Sequence, residues 1–329
     1  MYDNERELWS FINNRLSLVN GVMLLIVAKS SGSSPGRAGY KMAVAANGEL
    51  CGSIGGGVME VNLVEQSRKF LSEAPALAGG FSATQVIEQV HRSNSPKASG
   101  MICSGRQTVI RKLLTPTDAS TLAYVMDSLV QGDRPLMIVT PDVFTAGPQM
   151  CPAGNQPSYE RFSKKDFTYS ELLGPPNDLY IIGGGHCALA LSELMSKLDF
   201  RITIFDDRRE LSTIEKNRFA DQVHLLENYA QIGDHVPSDP DAFVVVMTLG
   251  YTFDEIVITA LIDKEFKYFG VLGSKAKMAV LLKSLKSEGV PVEKLDRIHT
   301  PIGLPINSHT PEEIAVSIAA EVISVKNSQ

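Results

Sequence analysis

Leu179-Tyr180-Ile181-Ile182-Gly183-Gly184-Gly185-His186-Cys187-Ala188 is the stretch that decides the fold. Four apolar residues read as a buried strand, and a glycine-rich turn then fits G-x-G-x-x-A and opens a helical pattern to Leu198. In a dinucleotide-type α/β domain the first glycine permits the tight turn and the second lets a phosphate approach backbone amides. The helix N-terminus adds partial positive charge. Asp206 lies 23 residues after Gly183, at the end of the next apolar strand, Arg201–Phe205, where an acid accepts hydrogen bonds from a ribose. A tight strand–helix turn that binds nothing has the same sequence, so both readings stand.

Outward from this turn, strands and helices alternate. Val223–Leu226, Ala242–Met247 and Tyr268–Leu272 read as strands, with helices over Phe253–Lys264 and Lys275–Ser287. A last helix, Pro311–Val325, is entered through Thr310 with Glu313 three residues on, a capping box with proline at the first helical position. This alternation predicts a Rossmann-like doubly wound parallel sheet over residues 178–329. Its strand ends converge on one crevice, so Gly183, Gly185, His186, Asp206, Thr248, Ser274 and Lys277 are candidate cofactor-binding residues. Ser274 also suits a helix cap, and Lys277, in that helix's first turn, suits either a phosphate or solvent.

The N-terminal half reads as a mixed α/β domain over residues 1–140. A helix over Glu5–Val19 precedes a strand over Gly21–Val27, a Gly/Ser/Pro loop over Ser30–Gly39, and a hairpin turning at Asn47-Gly48. Gly55-Gly56-Gly57, flanked by Ser53 and Glu60, opens a helix over Met59–Leu71. Three glycines in a row cost backbone entropy, which suits either a second amide cradle or a sharp turn under a packed helix. Further elements are a strand over Thr108–Leu114, a helix over Ala119–Val130 and a strand over Leu136–Thr140. Six prolines interrupt residues 141–177, which are expected to connect the two domains.

Among 329 residues, 44% are hydrophobic and 21% charged, as in folded soluble proteins. Lys+Arg 31 against Asp+Glu 37 gives a net charge of −6, which argues against a nucleic-acid surface. Cys51, Cys103, Cys151 and Cys187 form no C-x-x-C pair and no zinc spacing, so reduced thiols are expected. Cys103, between Gly100 and Gly105, is a candidate soft ligand for a soft metal. The apolar run Val22–Ala28 is far short of the ~20 residues that span a bilayer, and the first residues lack a basic leader. A cytoplasmic protein without membrane contact is expected.

Taken together these stretches resemble the xanthine dehydrogenase accessory proteins, the XdhC/CoxI family. The resemblance is carried by Gly32-Ser33-Ser34-Pro35, Gly39-Tyr40-Lys41-Met42, Gly52–Gly57 with Glu60, and Gly100-Met101-Ile102-Cys103. In the second half it is carried by Gly183–His186, Asp206-Asp207-Arg208, Gly273–Lys277, Pro301–Leu304 and Thr310–Ile318. The chain departs from the family pattern at Val58, where the family has cysteine, at Cys103-Ser104-Gly105, and at Thr248-Leu249-Gly250. The resemblance implies a chaperone, not an enzyme, that binds the molybdenum cofactor (molybdopterin) as cargo. The implied site comprises Ser53, Gly55, Gly56, Gly57, Glu60 and Cys103 with Gly183, Gly185, His186, Asp206, Thr248, Ser274 and Lys277, and Cys103 would ligate or face molybdenum. The implied partners are a xanthine dehydrogenase-like molybdoenzyme and a cysteine desulfurase, with the chain as a homodimer. The alternative is an NAD(P)-dependent oxidoreductase with a dinucleotide at the Gly183–Gly185 turn. None of the nine tyrosines has lysine four residues on, which disfavours the short-chain dehydrogenase pattern.

Overall fold

The structure, a computed structural model, describes residues 2–18, 21–73, 84–90, 105–148, 156–163, 166–198 and 200–328. The chain divides between Gly174 and Pro175 into two compact units. The first unit begins with helix α1 (Tyr2–Leu16), which starts and ends three residues earlier than its periodicity suggests. Strands β1 (Val22–Gly32), β2 (Lys41–Ala45) and β3 (Leu50–Gly52) follow, then helix α2 (Gly57–Glu73) and strands β4 (Thr84–Val90) and β5 (Gly105–Leu114). The five strands form an antiparallel sheet in the order β3-β2-β1-β5-β4.

Val22 through Ala28 are all buried, so this central strand is covered on both faces. That is why its sequence is a continuous apolar run with no alternation. Strand β1 also runs past Ser30 into the expected loop. Its backbone keeps pairing with β5 until Gly32 lies opposite Gly105, through an irregularity between Val27 and Lys29. Helix α2 packs Leu63, Val64 and Leu71 onto Met23, Leu25, Val44 and Val109 of the sheet.

The expected connection, residues 141–177, is a correction. Helix α3 (Ala119–Gln131) and strand β6 (Leu136–Val139) are followed by β7 (Phe144–Gly147), β8 (Ser158–Arg161) and β9 (Phe167–Leu172). These four strands make a second antiparallel sheet in the order β7-β6-β9-β8. Pro141, Pro148, Pro157, Pro175 and Pro176 all lie just outside strand ends, where a missing amide costs no ladder bond.

The second unit alternates strand and helix. Its elements are β10 (Asn177–Ile182), α4 (His186–Met195), β11 (Phe200–Asp206), α5 (Ser212–Glu215), β12 (Gln222–Leu225) and α6 (Ile232–His235). They continue as β13 (Asp239–Val246), α7 (Tyr251–Leu261), β14 (Phe266–Val271), α8 (Lys275–Ser287), α9 (Val292–Leu295) and α10 (Pro311–Asn327). All five strands are parallel, in the order β12-β11-β10-β13-β14. One face is covered by α4 and α10 through Leu191, Met195, Ile318 and Val322. The other is covered by α7 and α8 through Val257, Leu261, Met278 and Leu281. This is the expected doubly wound sheet. The capping box at α10 is also present: Thr310 Oγ1 accepts from the Glu313 amide, and Glu313 Oε2 accepts from the Thr310 amide.

Candidate functional site

Strands β10, β11, β13 and β14 end at Ile182, Asp206, Val246 and Val271, and being parallel they deliver the turns that follow to one edge of the sheet. Gly183, Gly185, Asp206, Thr248 and Ser274 therefore share the carboxyl edge, where open α/β sheets bind ligands. Gly183 has φ +106, and a Cβ there would run into the Met247 carbonyl, so the fold itself demands glycine. Gly185 is different. It is the N-cap of α4 with an extended backbone, φ −72 and ψ −168, and a Cβ there would meet no atom within 4 Å. His186 is exposed beside it in the first turn of α4.

Asp206 has a different role from the one its spacing suggests. Its carboxylate is fully buried. Oδ2 accepts from the Gly184 amide at 2.6 Å and from Arg208 Nη2 at 2.6 Å. Oδ1 accepts from the Arg208 amide at 2.9 Å and Arg208 Nε at 2.8 Å. Two carboxylate oxygens offer about four acceptor positions, and four donors fill them, so no acceptor is left for a ribose diol. Burial alone would raise this carboxyl's pKa, but the Arg208 guanidinium and the two amides outweigh it and hold it below the usual carboxylate range. Thr213 Oγ1 donates to the Gly184 carbonyl at 2.5 Å, pinning the turn from its other side.

On the other flank Asp254, in the first turn of α7, is also fully buried. Thr248 Oγ1 donates to its Oδ1 at 2.6 Å, and Lys277 Nζ to its Oδ2 at 2.8 Å. Lys277 is still 31% exposed, so the ammonium stands at the crevice with its position fixed from behind. Ser274 is consumed as the N-cap of α8, its Oγ accepting from the Lys277 amide at 3.3 Å. Leu249 is 72% exposed at the same edge.

The first unit's glycine triplet does not form an open cradle. Glu60, in the first turn of α2, turns its Oε2 back onto the amides of Ile54 at 2.8 Å and Gly56 at 3.0 Å and onto Ser53 Oγ at 2.7 Å. The Gly55 amide donates to Ser53 Oγ at 3.0 Å. The expected anion position of Ser53, Gly55, Gly56, Gly57 and Glu60 thus holds the chain's own carboxylate. Gly55 has φ +118 and a Cβ there would strike the Gly36 backbone, which accounts for this glycine by close packing. Val58 is half exposed at the start of α2.

Cys103 lies outside the described residues, as does Cys151. Cys51 sits in β3, its thiol pushed up by burial and then by Glu7, partly offset by the Gly52 amide. Cys187 sits in α4, pushed up by burial and then by Glu312. Both shifts disfavour the thiolate. Among the described residues no group of three or more His, Cys, Asp or Glu side chains is placed to hold a metal ion. Nor is any helix there long and apolar enough to cross a membrane.

Sequence reasoning missed Arg208, Asp254 and a buried cluster in the first unit. In that cluster Lys41 Nζ donates to Glu5 at 2.9 Å, Glu171 at 2.8 Å and the Gly39 carbonyl at 3.0 Å. Tyr169 donates to the other Glu171 oxygen at 2.7 Å. Glu5, Lys41 and Glu171 are distant in sequence and no local pattern joins them. Arg208 and Asp254 stand two and six residues after Asp206 and Thr248, within motifs whose spacing points only to their neighbours.

Two family models match the chain. The XdhC Rossmann domain model covers residues 179–322 and the XdhC and CoxI family model residues 20–78. The uncharacterized protein YqeB of Escherichia coli (strain K12) is 27% identical over 304 residues, 92% of this chain and 43% of that protein. A probable xanthine dehydrogenase subunit of Bacillus subtilis (strain 168) is 27% identical over 165 residues, 50% of this chain and 48% of that protein. The chain therefore spans less than half the length of these two curated relatives. A crystal structure described as a xanthine dehydrogenase from Bacillus halodurans superposes with a TM-score of 0.70 at 22% identity, covering 98% of this chain and 95% of that one, a likeness of fold. With both halves matched in order, the chain belongs to the XdhC and CoxI family.

Proposed function

We propose that the protein takes part in the maturation of a xanthine dehydrogenase-type molybdoenzyme. In this reading it binds the molybdenum cofactor as cargo, shields it while a cysteine desulfurase supplies the terminal sulfur, and hands it to the client. Family membership supports the maturation role, and Gly185 is the observation that carries the binding role. A glycine with an ordinary φ and an open Cβ position is not required by the fold, and a phosphate seated on the α4 amides would require it. Molybdopterin bears a phosphate and chelates molybdenum through a dithiolene. The chain would offer the Gly185 amide region to that phosphate and the Lys277 ammonium to its charge.

Cys103 is proposed as the thiol that faces molybdenum, on the strength of its sequence motif. The protein then acts as a cytoplasmic carrier, a homodimer, and not as an enzyme. An NAD-dependent oxidoreductase is the weaker reading, because Asp206 is closed to a ribose diol.

The test is to load the purified protein with molybdenum cofactor, weigh the complex by native mass spectrometry, and assay activation of a cofactor-free client dehydrogenase. Gly185→Val should keep the parent's melting temperature and lose cofactor by about tenfold or more, the change that ~1.4 kcal/mol produces. Equal retention by a folded Gly185→Val variant would remove the turn from the site. Cys103→Ser, which exchanges a soft donor for a hard one, should lower activation of the client with the fold retained. Cys51→Ser and Cys187→Ser should have smaller effects, and full activity of Cys103→Ser would refute the thiol's role.

A further inference from the structure

We infer that Arg208, not Asp206, meets the ligand at the end of β11, and that the crevice therefore selects a phosphate monoester there over a vicinal diol. The inference rests on the reading of the Gly183–Gly185 turn as a ligand site and names the chemistry that site prefers. Three observations carry it. First, the Asp206 carboxylate is out of solvent and its acceptor positions are filled from within the chain, so it cannot receive hydroxyl groups.

Second, Asp206 acts as a bracket. Nε and Nη2 of Arg208 are held in a bidentate fork, which fixes the plane of the guanidinium, while its side chain stays 33% exposed. A guanidinium has five N–H donors, and this fork uses one on Nε and one on Nη2. The remainder lie on the side away from Asp206. Third, the cation borders the turn itself. The Gly184 amide and Arg208 Nη2 both donate to the one Oδ2 atom, each at 2.6 Å, so the guanidinium and the glycine-rich turn are neighbours across a single oxygen. The ends of β10 and β11 thus set a pre-oriented cation beside the turn whose Gly185 opens α4, the combination that recognises a phosphate and not a sugar hydroxyl pair.

Two kinds of ligand bring a monoester to such a place: a nucleotide phosphorylated on its ribose, and a fused-ring cofactor ending in a phosphate. The experiment is calorimetric titration of the 329-residue chain with two matched pairs, NADP+ against NAD+ and FMN against riboflavin. Each pair differs by one phosphate monoester. At least one monoester probe should bind about tenfold more tightly than its partner, and the pair that shows the preference identifies the source.

Arg208→Gln should bring that ratio close to one. Arg208→Lys, which keeps a cation against Asp206, serves if the Gln variant does not fold, and it should cut the ratio severalfold because an ammonium cannot make the fork. Equal affinity within both pairs, or a ratio unchanged in these variants, overturns the inference while leaving the turn as a ligand site. Failure of all four probes to bind, or binding indifferent to Gly185→Val, overturns the reading of the turn and this inference with it.

Discussion

Lys277 owes its position to Asp254. A buried carboxylate stripped of its cation is costly, so Lys277→Ala should destabilise the second unit by about 3–5 kcal/mol, as should Asp254→Ala to a lesser degree. The pair Lys277→Met with Asp254→Leu should recover most of the loss, and denaturant unfolding in a double-mutant cycle measures it. Asp206 makes a pH-dependent contribution. Its folded pKa lies below the unfolded one, so its stabilisation is complete above the ordinary carboxylate range and fades as pH falls through that range. The difference in melting temperature between the parent and Asp206→Asn should therefore hold steady from neutral pH down to about pH 5 and shrink below about pH 4. A difference that grows on acidification would refute the assignment. At this scale the position of a residue along the chain was legible and its bond partner was not. Gly183, Thr248, Ser274 and Lys277 share an edge because parallel strands put them there, which alternation alone reveals. That Asp206 turns to Arg208, and Lys277 to Asp254, depends on side-chain directions within turns that carry no period.

The Lys41 cluster works between elements, joining β2 to α1 through Glu5 and to β9 through Glu171. Glu5 also accepts from the Gly174 amide at 2.8 Å, at the end of the segment that carries β9. Burial would lower the Lys41 pKa, but Glu171 and Glu5 outweigh it and raise it, so its contribution persists through neutral pH and is lost only in strong alkali. Lys41→Met should strand two carboxylates and lower the stability of the first unit by about 3–5 kcal/mol, with the second unit's transition unmoved in calorimetry. Recovery of that loss in Lys41→Met combined with Glu5→Gln and Glu171→Gln would separate stranded charge from lost packing. Strands β7, β8 and β9 were hidden in the sequence for a related reason. Two are only four residues long, and they hold together through a ladder with β6 and one another that no window of the sequence contains. Prolines at their borders read as breaks when they are boundaries. The long apolar β1 and the capped α10 were legible because burial on two faces and a capping box leave local marks.

The two units have separate cores. Buried residues between Leu179 and Val322 build the faces of the parallel sheet, and buried residues between Met23 and Val109 pack helix α2 onto the antiparallel one. Residues 175–329 produced alone should accordingly fold with a single cooperative melt and helix-rich circular dichroism. A non-cooperative melt would show that the division is not one of stability. The units differ again in how they treat dissolved ions, and the difference follows from Glu60. A turn whose amides are already occupied by a tethered carboxylate gives free sulfate or phosphate nothing to gain by binding, since any such ion must first evict a group that cannot diffuse away. At the second turn Asp206 takes the Gly184 amide alone, and among the described residues no carboxylate reaches the Gly185 amide that opens α4. Millimolar sulfate, compared with chloride at equal ionic strength, should thus raise the melting temperature of the second unit and leave the first where it was. The choice of buffer salt becomes a reporter of which glycine-rich turn is a socket and which is already plugged.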